Sequence, residues 1–388
     1  MSLDQNIYER LGQLEKADLR RTLLSLEGPT GPYAVIGGRK FVNLCSNDYL
    51  ALAGDPRLIK AAGACAEKWG AGAGASRLVT GNLVCHEELE EEIASFLGYE
   101  AALCFGSGYH ANTGLIPALA GEGDLLLSDE LNHASIIDGC RLSKARRLTF
   151  RHRDMDDLEN LFKKHRRGAR HAIVLTESVF SMDGDAPDFA ALSGICEKYD
   201  ATLIVDEAHA LGVVGDGRGM IAASNLQNRV AAVVGTFGKA FGAFGAFVAC
   251  SKNMREFLIN TARSAIFSTA LPPPVVGAAL EAVRIVKVQG AELTRRLAAN
   301  ARALVDAART AGFDVPDPAG AIVPVIIGGE KETLRAAHDL YERGVLARGI
   351  RPPTVPKGSS RLRLTASAGH TNADIQIISD AFGQLKIA

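Results

Sequence analysis

Short, continuously apolar segments alternate with longer helical patterns through the first 250 residues. They read AALCF (101–105), DLLLSD (124–129), HAIVLTE (171–177), ATLIVDE (201–207) and VAAVVG (230–235). Continuous apolar strands separated by helices indicate a parallel sheet that is covered on both faces. In such sheets ligands bind beyond the carboxyl ends of the strands. The sequence therefore predicts an α/β fold whose functional residues follow these segments directly.

The pattern changes on either side of this region. The first ~25 residues predict one amphipathic helix, because apolar residues recur at helical spacing. After about residue 285 the chain predicts a helix at about 291–311, a strand at AIVPVII, a helix at about 331–343 and a half-exposed strand at RLRLT (361–365). We therefore expect an N-terminal helix and lead-in segment over 1–40, a large domain over 41–285 and a smaller α+β domain over 286–388.

Charge and cysteine content exclude several classes of protein. The 43 Lys and Arg residues balance 44 Asp and Glu residues, so no basic excess points to a nucleic-acid partner. The apolar stretch 230–250 is long enough to span a membrane, but glycines interrupt it and Lys239 lies at its centre, so we expect no membrane partner. The seven cysteines form no CxxC pair and His86-Glu87 lacks a second histidine, so no metal site is expected. No signal peptide is evident, and we expect a reduced, cytoplasmic protein.

Two segments imitate nucleotide-binding motifs. GSGYHA (106–111) follows a strand and opens a helix, and Asp129 comes about 20 residues later, as in a dinucleotide site. The same geometry suits a single phosphate at a helix N-terminus, or a plain turn. DEAH (206–209) resembles a helicase box, but no GxxxxGK[ST] motif accompanies it, which excludes a nucleotide-driven motor.

A carboxylate, a histidine and a lysine follow two neighbouring strands. Asp206 and His209 end one strand segment, and Lys239 comes 33 residues after Asp206, beyond the next. The acid and the lysine could form a structural ion pair. They could also hold pyridoxal phosphate, which requires a lysine for its aldehyde, an acid for its ring nitrogen and a cradle for its phosphate. GSGYHA offers that cradle, so three requirements are met at the strand ends of one sheet.

Motifs along the whole chain resemble the α-oxoamine synthases, a family of fold-type I pyridoxal-phosphate enzymes. They are SNDYL (46–50), SRLVTG (76–81), HEELE (86–90), NHAS (132–135), ESVFSMDGD (177–185), DEAH (206–209), TFGK (236–239) and FSTALPP (267–273). The segment IRPPTVP (350–356), followed by RLRLT, resembles the branch that condenses L-alanine with a pimeloyl thioester in biotin biosynthesis.

The resemblance assigns roles around the cofactor ring. Lys239 would hold pyridoxal phosphate and later remove the Cα proton of alanine. Asp206 would face the pyridine nitrogen, His209 and Ser181 would contact the 3-oxygen, and His133 would stack on the ring.

The resemblance also implies a phosphate cradle shared between two subunits. Backbone N–H groups of Gly108 and Tyr109 and the Thr236 hydroxyl would bind the phosphate, while Ser268 and Thr269 would reach it from the neighbouring subunit of a homodimer.

The substrate contacts implied by the resemblance are arginines. Arg351 would bind the alanine carboxylate with Asn47 nearby, and Arg20 or Arg21 would meet the distal carboxylate of the pimeloyl group. The thioester carrier, coenzyme A or acyl carrier protein, stays open.

Three other functions compete with this interpretation. A sister branch would condense glycine with acetyl-CoA instead. A nicotinamide dehydrogenase built on GSGYHA leaves Lys239 and Asp206 unexplained, and a non-catalytic subunit would typically lack the lysine that this chain has.

Overall fold

The computed structural model describes residues 2–17 and 19–385. Its strands are β1 (Tyr33–Ile36), β2 (Arg39–Asn43), β3 (Ala101–Phe105), β4 (Leu125–Asp129), β5 (Arg146–Phe150), β6 (Ala172–Glu177), β7 (Thr202–Asp206), β8 (Ala232–Thr236), β9 (Ala246–Cys250), β10 (Ile322–Gly328), β11 (Val345–Leu346), β12 (Gly349–Ile350) and β13 (Ser360–Thr365). Its α-helices are α1 (Leu3–Lys16), α2 (Pro56–Trp69), α3 (Val84–Leu97), α4 (Gly108–Leu119), α5 (Ala134–Leu142), α6 (Met155–His165), α7 (Phe189–Lys198), α8 (Met220–Ala223), α9 (Lys252–Thr261), α10 (Arg263–Ile266), α11 (Pro273–Thr310), α12 (Glu330–Glu342) and α13 (Asn372–Gly383).

The seven-stranded central sheet has the order β3-β9-β8-β7-β6-β4-β5. Strand β9 runs antiparallel to both of its neighbours, and the other strands share one direction. The expected α/β fold with a mostly parallel sheet is confirmed, and each of the five apolar segments of the sequence overlaps one of its strands. Their carboxyl ends therefore lie along one edge of the sheet.

Helices cover both faces of this sheet. On one face, Leu115 of α4 and Leu258 of α9 pack with Leu103 and Val248 of the sheet. On the other face, Phe162 of α6 and Leu192 of α7 pack with strand residues such as Leu127, Val174 and Leu203. Because both faces are buried, the strands are apolar at successive positions instead of alternating.

Within the central sheet, the sequence patterns did not predict strands β5 and β9. Strand β5 lies at the sheet edge, where Arg146, Arg147 and Thr149 are exposed, so it shows no continuous apolar run. Strand β9 lies inside the stretch 230–250 considered above for a membrane span, and it pairs with β8 after a glycine-containing turn. No helix within the described residues is long and apolar enough to cross a membrane.

The helices at the two ends of the predicted large domain differ from expectation. Helix α1 ends at Lys16, well before residue 25, and it buries none of its side chains, so no tertiary packing extends it. Helix α11 begins at Pro273, not near residue 291, and it packs against α2, α3 and α13. The expected boundary at residues 285 and 286 falls inside this continuous helix. The domain limits remain predictions.

Two smaller three-stranded sheets involve strands from the C-terminal part of the chain. Strands β10, β13 and β12 form one, and β1, β2 and β11 form the other, in which Val42 pairs with Val345. The expectation that β13 is half-exposed was wrong, because Arg361 is 4% exposed and forms an ion pair with Asp183. Arg361 and Arg363 of this strand contact the loop after β6.

Candidate active site

Polar side chains gather where the parallel strands end. Glu177 ends β6 and lies opposite Asp206, the last residue of β7, in the strand register. Lys239 follows β8 by three residues, and the helix α4 begins shortly after β3. The parallel sheet thus brings together residues that lie far apart in the sequence, as its topology requires.

Lys239 is the first member of a hydrogen-bonded chain. Its Nζ lies 2.8 Å from Nε2 of His209, and His209 Nδ1 lies 2.7 Å from the Tyr49 hydroxyl. Tyr49 donates its single proton to Asn47 Oδ1 at 3.1 Å. His209 Nδ1 must therefore donate to Tyr49, which leaves Nε2 as the acceptor for the lysine amine. Burial and the neighbouring Lys239 charge hold the pKa of His209 well below its ordinary value, which agrees with a neutral ring.

The surroundings of Lys239 favour the neutral form of its amine. Burial lowers its pKa to about 8, although the charges of Asp206 and Glu177 pull the pKa upward. A lysine with a pKa in this range can exchange a proton near neutral pH.

Asp206 is held as a buried hydrogen-bond acceptor. Its Oδ2 accepts from Asn112 Nδ2 at 2.7 Å, and its Oδ1 accepts from the Ala208 N–H at 2.9 Å. Asn112, on α4, gives its other proton to Ser135 Oγ at 2.9 Å. The carboxylate is therefore fixed at the strand end by Asn112 of α4, which Ser135 of α5 holds in turn, and by the Ala208 N–H of its own turn.

Glu177 is a second buried acid beside Asp206. It is 3% exposed and accepts a hydrogen bond from the His133 N–H at 2.6 Å. Burial, followed by the nearby Asp206 charge, raises the pKa of Glu177 to about 8. Its proton occupancy thus varies near neutral pH, next to the lysine.

His133 caps the N-terminus of α5. Its Nδ1 lies 2.8 Å from Ser135 Oγ, the group that also binds Asn112. Burial lowers the pKa of His133, and the charge of Asp206 acts in the opposite direction. The ring is therefore largely neutral and tied to the same network as Asp206.

The N-terminus of α4 has the form of an anion cradle. Ser107 caps this helix by accepting from the His110 N–H at 3.2 Å. A Cβ built on Gly108 would meet no atom within 4 Å, so the backbone there is open to a ligand. Tyr109 is 44% exposed and donates its hydroxyl to Asp138. Backbone N–H groups of a helix start favour a phosphate.

Thr236 stabilises the turn before Lys239. Its hydroxyl donates to the Gly245 carbonyl at 2.9 Å and accepts from the Gly238 N–H at 3.1 Å. A buried lysine, a buried carboxylate and an open helix start at one edge of the sheet fit pyridoxal phosphate.

Ser268 and Thr269 lie on a separate segment. Thr269 forms a bridge with Ser76, and both predicted residues line a small cavity of about 20 Å³ with Arg77 and Gly106. Their role across a subunit interface stays a prediction.

The arginines divide between two places. Arg363 donates from Nη2 to Asn47 Oδ1 at 3.2 Å and from Nε to the Ser181 carbonyl. Its positive charge also lowers the pKa of both Lys239 and His209. Arg351 instead lines a cavity of about 680 Å³ with Arg20 and Arg21. The structure therefore joins Asn47 and Ser181 to Arg363, which our sequence reasoning did not select.

Four residues of this site were missed as site residues from the sequence: Tyr49, Asn112, Glu177 and Arg363. Tyr49 and Glu177 lie within the motifs SNDYL and ESVFSMDGD, which were recognised only as family signatures. Arg363 showed a signal as a charged residue in an alternating strand. Asn112 is a polar residue within a mostly apolar helix, and that pattern does not indicate a role for it.

Comparisons with known proteins agree over nearly the whole chain. The family described as aminotransferase class I and II matches residues 39–382. An 8-amino-7-oxononanoate synthase of Anaeromyxobacter dehalogenans (strain 2CP-1) is 49% identical over 370 residues, covering 95% of this chain and 92% of the relative. A protein of the same name from Geotalea daltonii is 46% identical over 373 residues, covering 96% and 95%.

Solved structures extend the similarity to three dimensions. A structure of SPT with PLP has a TM-score of 0.92 and 33% identity, and the match covers 99% of this chain and 98% of that one. The serine palmitoyltransferase of Sphingomonas wittichii has a TM-score of 0.92, 31% identity and the same coverage. The 8-amino-7-oxononanoate synthase of Francisella tularensis has a TM-score of 0.76 and 28% identity, covering 89% and 97%.

Proposed function

This chain belongs to the 8-amino-7-oxononanoate synthases within the class I and II aminotransferase family, and from that premise we propose its reaction. It condenses L-alanine with a pimeloyl thioester to give 8-amino-7-oxononanoate, CO₂ and the free thiol, in biotin biosynthesis. It is a pyridoxal-phosphate enzyme of the acyltransferase class. The observation that carries the proposal is the buried Lys239 amine beside Asp206, His209 and Arg363.

When bound, pyridoxal phosphate supplies an electron-withdrawing ring that accepts the electron pair released when a bond to Cα of the amino acid breaks. Asp206 is the residue to hold the ring nitrogen protonated, because Asn112 and the Ala208 N–H fix its carboxylate in place. His209 and Ser181 would contact the 3-oxygen, and His133 would cover the ring. The N–H groups of Gly108 and Tyr109 would bind the phosphate, and the Thr236 hydroxyl would join them by giving up its hydrogen bond to the Gly245 carbonyl.

Lys239 has the properties of the proton carrier of the reaction. Its pKa of about 8 leaves a useful neutral fraction of the amine near pH 7, which can take the Cα proton and return it. The neutral His209 accepts from this amine, so its hydrogen bond orients the amine in the site.

Arg363 is our first candidate for the carboxylate of alanine. It lies on the rigid strand β13 and is held by Asn47 and the Ser181 carbonyl, and a guanidinium binds a carboxylate through paired hydrogen bonds. Arg351 remains the alternative for this role.

The cavity that contains Arg20, Arg21, Arg348 and Arg351 suits the anionic end of the acyl chain. Arg20 pairs with Glu15 at 2.8 Å and Arg21 donates to Thr354 Oγ1 at 3.1 Å, so both are held at the cavity wall. The free carboxylate of a dicarboxylic acyl group would bind to these arginines. The carrier of the thioester, coenzyme A or acyl carrier protein, is a further variable of the test.

We also propose that the enzyme works as a homodimer. On the segment predicted to meet the neighbouring subunit, Phe267 is 70% exposed. The segment 76–81 is bridged to it through Ser76 and Thr269, and its Val79 is 73% exposed. A second copy would cover them and would bring Ser268 and Thr269 to the partner's phosphate.

The test is a substrate panel on the purified protein. We expect thiol release and a product of the mass of 8-amino-7-oxononanoate with L-alanine and pimeloyl-CoA, with pimeloyl-acyl carrier protein as a parallel donor. Lys239→Ala should abolish turnover while leaving the far-UV circular dichroism unchanged. Turnover with glycine and acetyl-CoA instead would move the protein to 2-amino-3-ketobutyrate CoA ligase, the sister reaction. Turnover by Lys239→Ala at the wild-type rate would refute the assigned chemistry.

A further inference from the structure

His152 lies between two carboxylates outside the site described above. Its Nδ1 is 2.9 Å from Asp129 Oδ1 and its Nε2 is 3.0 Å from Asp185 Oδ2. The His152 side chain is 18% exposed and that of Asp129 is not exposed at all. Because both ring nitrogens face carboxylates, both must carry protons to donate, and the ring is then an imidazolium.

The surrounding charges favour this protonated form. Burial opposes the charge, but hydrogen bonds to Asp129 and Asp185 outweigh burial and raise the pKa of His152 to about 9. Arg153 also contacts Asp185, at 2.7 Å, and Glu130 accepts from the His152 N–H at 2.8 Å. One oxygen of Asp185, Oδ1, is buried with no protein partner among the described residues, so the charge of this acid depends on His152 and Arg153.

Asp129 organises the turn that leads to His133. It ends β4, and its Oδ1 also accepts from the Leu131 N–H at 2.9 Å, while Oδ2 accepts from the Arg153 N–H at 2.9 Å. At the end of this turn, the His133 N–H donates a hydrogen bond to Glu177. A displacement of Asp129 would therefore move the backbone immediately before His133.

Asp185 closes the loop that contains Ser181. Its carbonyl accepts from the Phe180 N–H at 2.9 Å, and the ring of Phe180 packs edge-on against His152 at 4.4 Å. The Ser181 carbonyl in this loop accepts from Arg363. The loop thus connects His152 to the strand that presents the arginine.

We propose that His152 is a positioning residue that clamps the His133 turn and the Ser181 loop together, so that both contact the cofactor in register. The proposal rests on the proposed function, since it assigns these loops to the cofactor site. His152 itself touches no reacting group and acts through Asp129 and Asp185.

The experiment compares holoenzyme variants at this position. His152→Phe keeps an aromatic ring against Phe180 but removes both hydrogen bonds. His152→Asn and His152→Gln each offer one amide, at the positions of Nδ1 and Nε2, and serve as folded variants if the phenylalanine variant is unstable. Arg151→Gln is the matched control, because Arg151 lies on the same turn, is 67% exposed and pairs with Asp154 and Asp157, which are not part of the clamp.

Three quantities are measured on each protein: the dissociation rate of pyridoxal phosphate, the visible circular dichroism per bound cofactor, and kcat with KM for L-alanine. Loss of a charge-assisted pair should raise the cofactor dissociation rate of His152→Phe on the order of tenfold. It should also change the visible signal and lower kcat more than it raises KM. The amide variants should fall between His152→Phe and wild type, and Arg151→Gln should match wild type.

The outcomes separate this inference from the proposed function. A wild-type protein without a visible cofactor band, or without turnover on any acyl donor, contradicts the proposed function before any variant is compared. A folded His152→Phe, or folded amide variants, with the wild-type visible signal and cofactor dissociation rate would overturn the clamp. Equal effects from Arg151→Gln would also overturn it, since they would reflect the turn and not the histidine.

Discussion

The amine of Lys239 should titrate about 2.5 pH units below an ordinary lysine in the cofactor-free protein. Burial lowers its pKa from 10.5 to about 8. At roughly 1.36 kcal/mol per unit, the protein disfavours the charged amine by about 3 kcal/mol. At pH 7 roughly a tenth of the amine is then neutral, against about one part in 3,000 for an ordinary lysine, and the nucleophilic form is ~300-fold more abundant.

The assay follows the modification rate of Lys239 by a neutral amine-specific reagent between pH 6 and 11, with the residue identified by peptide mass spectrometry. A small lysine amide in the same tube supplies the ordinary amine, whose pKa is about 10.4. We expect the rate at Lys239 to reach its half-maximum near pH 8. Asp206→Asn should move that midpoint lower, because the Asp206 charge raises the lysine pKa.

Two results would contradict the reasoning. A midpoint at pH 10 or above in the wild type would mean that burial does not control the amine. A midpoint that rises in Asp206→Asn would mean that the carboxylate acts on Lys239 by a route other than its charge.

Three further substitutions test the site and its support. Arg363→Lys should raise KM for L-alanine about 10- to 150-fold, because it loses a paired hydrogen bond of about 1.5–3 kcal/mol. An unchanged KM in steady-state kinetics would exclude Arg363 from carboxylate binding. Glu90→Leu should lower the free energy of unfolding, measured in urea, by about 3–5 kcal/mol. The substitution removes the buried partner of Arg77 and Arg255, each of which lies 2.7 Å from Glu90. Gly235→Ala should lower the same free energy of unfolding by about 1–3 kcal/mol, because the added Cβ would lie 2.2 Å from Phe247 Cζ. A variant that unfolds at the same urea concentration as the wild type would contradict this close contact.

Five of the seven strands of the central sheet were predictable from the amino-acid sequence. The strands of a parallel sheet covered on both faces are apolar at successive positions. This local pattern is visible in segments such as 101–105 and 201–207. The same topology places the residues after each strand at one edge. Lys239, Asp206 and His209 could therefore be grouped before any distance was known.

Edge strands and long-range partners escaped the sequence analysis. Strand β5 carries exposed arginines because one of its edges faces solvent, so its composition resembles a loop. Arg361 and Arg363 alternate with leucines as in a half-exposed strand, yet their face is covered by the loop 180–185. Sequence spacing cannot reveal which distant loop covers a face.

The α/β fold was predictable from the amino-acid sequence, because it depends on patterns within a few neighbouring residues, whereas the cofactor roles given by the family resemblance remain predictions. The contact of Arg363 with Asn47, and the contacts of His152 with Asp129 and Asp185, became visible only once the chain was folded. Those contacts join residues separated by 316, 23 and 33 positions. Packing of the strands and loops fixes such pairs, since local propensity carries no information about them.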